Sequence, residues 1–277
     1  MLRTILIGVD GSPDGEGAFE VAISWARELN AMLVGLVVID APTIRQMPAW
    51  PLASGEAQKA QDEALIADAR RRAEHALERF SIRCAQAGIA SKPLEDVGVP
   101  YERILEESVR YDLVILGRRT HFNFATAHGQ EQTVERVIRS SPRPVVTVTE
   151  RPTAGDAILV AYDGSPPAAR ALQSFVSTGL TRGHEVVVLT AGTDHAETAR
   201  QAERAVDFLA HHDLRARAIP LETHETPALV ILRYVELCRA GMVVMGSFGK
   251  PAWKDLILGS VTRTVVRECT APVFLFH

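Results

Sequence analysis

Three cysteines, Cys84, Cys238 and Cys269, are too few and too widely spaced for a CxxC metal pair or a disulfide framework. Reduced thiols in a cytoplasmic protein are the expectation. Long apolar runs are missing too: Met32–Ile39 spans eight residues, whereas a membrane-spanning helix needs about twenty. That run reads as a buried strand, and no membrane partner is expected. The chain enters a strand pattern at Thr4-Ile5-Leu6-Ile7-Gly8-Val9, without the basic and apolar regions of a signal peptide, so no export is expected. There is no excess of basic charge, since the formal net charge is -4, and this argues against a nucleic-acid partner.

Several catalytic signatures are absent. Gly249-Lys250 continues with Pro251, which defeats a P-loop, and Gly15-Glu16-Gly17 meets Glu20 where a dinucleotide fingerprint needs its third glycine. Neither G-x-S-x-G nor H-E-x-x-H occurs. His121, Phe122, Phe124 and His128 crowd one loop, but no spacing there, nor at His211-His212, resembles a metal site.

What is present is an ordinary globular composition, 47% apolar and 23% charged over 277 residues, which suits two domains with proper cores. An internal repeat organises them. Ile5-Leu6-Ile7-Gly8-Val9-Asp10-Gly11-Ser12-Pro13 in the first half matches Ile158-Leu159-Val160-Ala161-Tyr162-Asp163-Gly164-Ser165-Pro166 in the second. Each is a strand ending in a turn, and Ser-Pro suits the start of the helix that follows. Leu113–Gly117 echoes Met242–Gly246, and both halves close on a proline-led β run, Pro144–Val148 and Pro272–Phe276.

Strands that are apolar throughout and alternate with helices imply parallel sheets covered on both faces. The expected fold class is α/β: two tandem, doubly wound, mainly parallel five-stranded domains, residues 1–150 and 156–277, joined by Arg151–Gly155. Within the first half, Ala41 to Gly55 reads as an irregular loop and Glu56 to Gln86 as a long helix with Arg70-Arg71-Arg72 on a wet face.

In open parallel sheets, ligands bind beyond the carboxyl ends of the strands, where the winding reverses. There the second half reads Gly246-Ser247-Phe248-Gly249, then nine residues, then Gly259-Ser260-Val261-Thr262 opening a helix. Glycines allow close approach of backbone N–H groups, and a helix start adds a favourable dipole, so the joint pattern is an anion cradle for a polyphosphate. Either piece alone is common as a strand end or a helix cap.

This G-x2-G-x9-G-S spacing, late in the chain and after a strand, resembles the ATP-binding signature of universal stress proteins, and the likeness covers nearly the whole chain as a tandem pair. The resemblance implies ATP, with Mg2+ as a candidate companion. It assigns Ala161 and Asp163 to the nucleoside end, with backbone near Thr190 and Ala191. It gives Met245, Gly246, Phe248, Gly249, Gly259, Ser260, Val261 and Thr262 to the phosphates, and likens Pro272–Phe276 to a dimerisation strand, so that pairing of the two domains within the chain and a further homodimer are both expected. Lys250 and Lys254 are either phosphate contacts or solvated loop lysines, and Asp163 or Asp255 offers one carboxylate to a metal or water.

The first half departs from this signature. Thr120 stands where Gly249 stands, and counting back from Pro144 puts Glu131-Gln132 opposite Gly259-Ser260; Gly129-Gln130 fits only by a shift of register. A carboxylate about 4 Å from a phosphate costs on the order of 4 kcal/mol per charge pair at an effective dielectric of about 20. ATP is therefore expected in the second half only. Backbone donors alone favour binding over fast hydrolysis. The expected function is an ATP-binding regulator of stress physiology; the alternatives are a slow ATPase or nucleotidyl-transfer enzyme in the same pocket, and a nucleotide-free scaffold.

Overall fold

Both Asp-Gly-Ser-Pro turns launch helices by the same chemistry. Asp10 and Asp163 each accept the N–H of the serine two residues on at 3.0 Å. Gly11 and Gly164 between them take φ of 71° and 72°, which favours glycine. The Ser12 hydroxyl then accepts from Gly15 N–H at 3.0 Å and that of Ser165 from Ala168 N–H at 3.3 Å, while Pro13 and Pro166 occupy the first helical turn.

The computed structural model describes residues 1–45, 55–120, 122, 133–181, 183–247 and 259–277. Its first half runs β1 (Thr4–Gly8), α1 (Pro13–Leu29), β2 (Met32–Ile39), α2 (Ala41–Arg45), α3 (Gly55–Gln86), β3 (Ser91–Val97), α4 (Pro100–Ser108), β4 (Leu113–Gly117), α5 (Thr133–Ser140) and β5 (Val145–Val148). The second half runs β6 (Ala157–Ala161), α6 (Pro166–Thr178), β7 (Glu185–Gly192), α7 (His195–Ala210), β8 (Ala216–Glu222), α8 (Pro227–Leu237), β9 (Ala240–Gly246), α9 (Ser260–Glu268) and β10 (Val273–Phe276).

All ten strands form one sheet in the order β3-β2-β1-β4-β5-β10-β9-β6-β7-β8. Every pairing is parallel except β5 with β10, which run antiparallel with Val146 opposite Phe274. The two halves thus join through their last strands, and neither of those edges is left open. Helices α1, α3, α6 and α7 cover one face around Phe19, Phe80, Phe175 and Leu209, and α4, α5, α8 and α9 cover the other around Ile104, Ile138, Ile231 and Val265. This burial on both faces is why β1, β4, β6 and their neighbours are apolar without alternation.

Two features of the sequence reading are revised. The stretch from Ala41 begins as a helix, not a loop: Asp40 accepts the N–H of Thr43 at 3.0 Å and so caps α2, whose Ile44 is buried. The edge strands β3 and β8 have mostly exposed or half-buried residues, including Pro93 and Pro220, which an edge tolerates because one side of the strand is unpaired. The long helix α3 lies over β2, where Phe80 packs so closely that a Cβ at Gly35 would come within 2.8 Å of its ring. Its arginine run is exposed and ion-paired, Arg70 with Glu95 at 3.4 Å and Arg71 with Asp68 at 2.9 Å.

Candidate functional site

In the second domain the winding reverses between β6 and β9. The chain leaves β6 toward β7 on one face and leaves β9 toward β10 on the other. A cleft of about 160 Å³ opens beyond the ends of these strands, where such topology places ligands. Ala161, Tyr162 and Asp163 come from the end of β6, Leu189 and Ala191 from β7, Pro227 and Ile231 from the start of α8, and Met245 and Gly246 from the end of β9. Val261 and Thr262 close it from the first turn of α9, with Ser165 and Ala168 at the start of α6.

The cleft has two chemically distinct ends. Leu189, Ile231 and Met245, buried to within 6% of their surface, make an apolar wall beside Ala161 and Ala191. Among the described residues Asp163 is the one carboxylate lining it; its Oδ1 holds the turn to Ser165. Burial, with the charge of Asp163 adding to it, pushes the Tyr162 phenol above its usual pKa, so it is neutral near pH 7.

At the other end α9 begins with Gly259 at φ -55° and ψ 145°, and among the described residues no side chain caps it. Arg263 N–H is the first to bond back within the helix, to Gly259 O at 2.9 Å. The amides of Ser260, Val261 and Thr262 therefore form the uncapped first turn, at the positive end of the helix dipole. The Thr262 hydroxyl is engaged, donating to Ser247 O at 3.0 Å, so what this residue offers an anion is its N–H. The opposite end of α9 is held by the first domain: Arg118 donates to Arg267 O at 2.7 Å and Cys269 O at 3.1 Å, a cation where the helix dipole favours one.

Most residues singled out in the sequence meet here. Ala161, Asp163, Ala191, Met245, Gly246, Val261 and Thr262 line the cleft, and Gly259 and Ser260 form the mouth of α9 beside it. Phe248 and Gly249 lie outside the described residues, as do Lys250, Lys254 and Asp255. Thr190 is buried with its side chain on the other face of β7 from Leu189 and Ala191. Leu189, Pro227 and Ile231 were not anticipated; the first pairs with Ala161 across the sheet, a register invisible in local pattern.

Gly246 has a more structural role than a phosphate-facing glycine would. A Cβ there would lie 2.7 Å from Ala168 N and 2.9 Å from Pro167 C, so the glycine lets α6 pack against the end of β9. Among the described residues no three His, Cys, Asp or Glu side chains converge on a metal site, and no helix is long and apolar enough to cross a membrane.

The model of the universal stress protein family matches residues 1–149 and again 156–277. The chain belongs to the universal stress protein family. A universal stress protein of Synechocystis sp. is 24% identical and aligns over 100% of both chains. One from Mycobacterium tuberculosis is 26% identical over 98% of this chain and 94% of its own. The crystal structure of a universal stress protein from Archaeoglobus fulgidus, 21% identical, superposes with a TM-score of 0.71 over 99% of this chain and 97% of its own, so the likeness in fold spans both domains.

The first domain of this universal stress protein has the same frame and a different interior. Gly8, Leu36, Val38, Ile104 and Leu116 occupy the places of Ala161, Leu189, Ala191, Ile231 and Met245. Phe122, 1% exposed, packs into that cluster. Where the second domain has Pro167, the first has Asp14, also 1% exposed. Its carboxylate accepts the N–H of Arg119 and of Glu150, each at 2.9 Å, and Arg119 Nε at 3.1 Å.

Burial works to raise the Asp14 pKa, but Arg119 and the two amides outweigh it and hold it below the ordinary value of 3.8. A depressed folded pKa stabilises above the unfolded value and loses that contribution as pH falls through the folded one. Asp14→Asn is expected to cost about 1–2 kcal/mol in urea unfolding at pH 7, allowing for the exposure of Arg119. The gap from wild type should narrow as pH drops below 3.8.

Proposed function

We propose that the second domain binds an adenine nucleotide, ATP, and that the chain serves as a nucleotide-responsive regulator in stress physiology, not as a fast enzyme. One observation carries the reading: an apolar slot wide enough to be lined by four secondary-structure elements leads directly to the uncapped first turn of α9. A base needs apolar walls and a polyphosphate needs amides and a positive dipole, and the cleft offers them in that order.

On this reading Ala161, Leu189, Ala191, Ile231 and Met245 hold the ring, and Asp163 accepts from ribose hydroxyls. The amides of Ser260, Val261 and Thr262 receive phosphate oxygens, with Gly259 at the entry of the helix. Gly246 sets the spacing of strand and helix around them, and the signature assigns Phe248 and Gly249 to the same phosphates. Membership of the family supports the regulatory role. The lining supports binding over turnover, because what it offers a phosphate is the amides at the start of α9, while Asp163, its one carboxylate among the described residues, is assigned to the ribose and not to a general acid or base at the phosphates.

The test is to identify by native mass spectrometry whatever nucleotide accompanies the protein, then to titrate the stripped chain with a fluorescent ATP analogue. One equivalent per chain is expected, with stability raised by about 2.7 kcal/mol at a hundredfold excess over Kd. Two equivalents, or none, would defeat the assignment to the second domain. Phosphate release above that of an Asp163→Asn sample would instead favour a slow ATPase.

A further inference from the structure

The first domain presents the frame of a cleft with a side chain inside it. β1 ends in Gly8 where β6 ends in Ala161. A Cβ at Gly8 would lie 2.8 Å from Phe122 Cζ and 2.8 Å from Leu116 Cδ2. The missing methyl thus makes room for the ring of Phe122, which sits among the counterparts of the residues that wall the second domain's cleft. Phe122 reaches this place with φ of 43°, a left-handed conformation that a bulky residue rarely adopts. Strain of that kind persists only where the surroundings fix the side chain firmly.

We propose that Phe122 is a built-in occupant of the first domain's cleft, filling the slot that a ligand's ring would fill, and that its removal uncovers a site for a planar, apolar-faced ring such as a phosphate-free purine nucleoside. The flat faces of such a ring match Leu36, Val38, Ile104 and Leu116, all at most 1% exposed. The Thr120 hydroxyl, two residues before Phe122, is buried without a hydrogen-bond partner among the described residues, and on this proposal it is the polar group available to a ring nitrogen. A polyphosphate does not suit this site. The amide of Arg119, which matches the position of Phe248, is already engaged by Asp14 at 2.9 Å. Bound this way from within, the first domain keeps one state whatever the nucleotide supply, and the chain's response to ligand is confined to its second half.

The readout is the number of equivalents of adenosine that the full chain binds by isothermal titration. It is the increment over wild type that counts, so the result is independent of whether the second domain binds. Phe122→Ala is expected to gain one equivalent, with binding at least tenfold tighter than any the wild-type first domain shows, and to melt below wild type until adenosine is added. Phe122→Leu, which refills the slot, should gain none. Phe122→Val, a smaller perturbation of the core, should gain the extra equivalent more weakly. A folded Phe122→Ala or Phe122→Val chain that binds no more adenosine than wild type would overturn the proposal. So would failure of both variants to fold, since Phe122 would then be an indispensable part of the core.

Discussion

Gly259→Asp is expected to weaken ATP binding at least about a hundredfold while leaving the protein as stable as before, or a few tenths of a kcal/mol more so. The two effects part company because of where Gly259 sits. It takes φ -55° and ψ 145°, a backbone conformation open to any residue, at the N-cap of α9. Aspartate is among the best N-caps, since its carboxylate accepts N–H groups of the first turn. Those are the amides of Val261 and Thr262, the same donors assigned to phosphate. The variant would therefore supply an internal anion to the helix and compete with the ligand for its donors. It would also set a negative charge against the phosphates, costing on the order of 4 kcal/mol per close pair at an effective dielectric of about 20. Even about 2.8 kcal/mol of that is a hundredfold in Kd. Gly259→Ser caps without charge and should lose less than about tenfold, the competition for donors alone. Calorimetric titration and urea unfolding of the same samples separate binding from stability. Equal affinity in Gly259→Asp and wild type would remove α9 from the phosphate site.

What could be read in the sequence was what local chemistry determines. The two Asp-Gly-Ser-Pro turns carry their own hydrogen bonds, so their strands and helices were visible from residues alone. The apolar runs of β2 and β7 are apolar because both their faces are covered. Strands β3 and β8 are included in the expected five per domain but could not be located by pattern, for the opposite reason: at the two edges of the sheet, Lys92, Pro93, Glu95 and Asp96, and Arg217, Pro220 and Glu222, leave no such run. The helix α2 was hidden in a proline-rich stretch, although Asp40 followed by Ala41-Pro42 was a legible start.

The cleft divides along the same line. Asp163, Gly246 and the opening of α9 belong to short motifs, whereas Leu189, Pro227 and Ile231 reach the cleft only because crossover connections bring β7 and α8 beside β6 and β9. The plug in the first domain depends on Gly8 and Phe122, which come together only in the folded chain. No window of sequence contains both. The degenerate first half was nonetheless detectable through its lost glycine at Thr120, a local change. It kept Gly117, which like Gly246 lets a helix pack against the end of its strand.

That retained glycine yields the second large effect. Gly117→Ala and Gly246→Ala are each expected to destabilise the protein by about 3 kcal/mol, the upper end for overpacking. A Cβ at Gly117 would lie 2.6 Å from Gly15 N and 2.7 Å from Asp14 C, and one at Gly246 would lie 2.7 Å from Ala168 N. All three neighbours are backbone atoms in the first turn of a helix, which cannot swing aside as a side chain can. Relief requires α1 or α6 to lift from its strand. In the second domain that movement shifts Ala168 and Ser165, which line the cleft, so Gly246→Ala should also weaken ATP binding, whereas Gly117→Ala should leave it within about twofold. The comparison distinguishes two reasons for a glycine at this point. If Gly246→Ala keeps full stability by urea unfolding and loses only affinity, the residue serves phosphate approach and the packing account fails. Matched losses of stability in the two domains, with affinity changed in one, mean that helix contact conserves the glycine and ligand binding merely makes use of the turn it leaves behind.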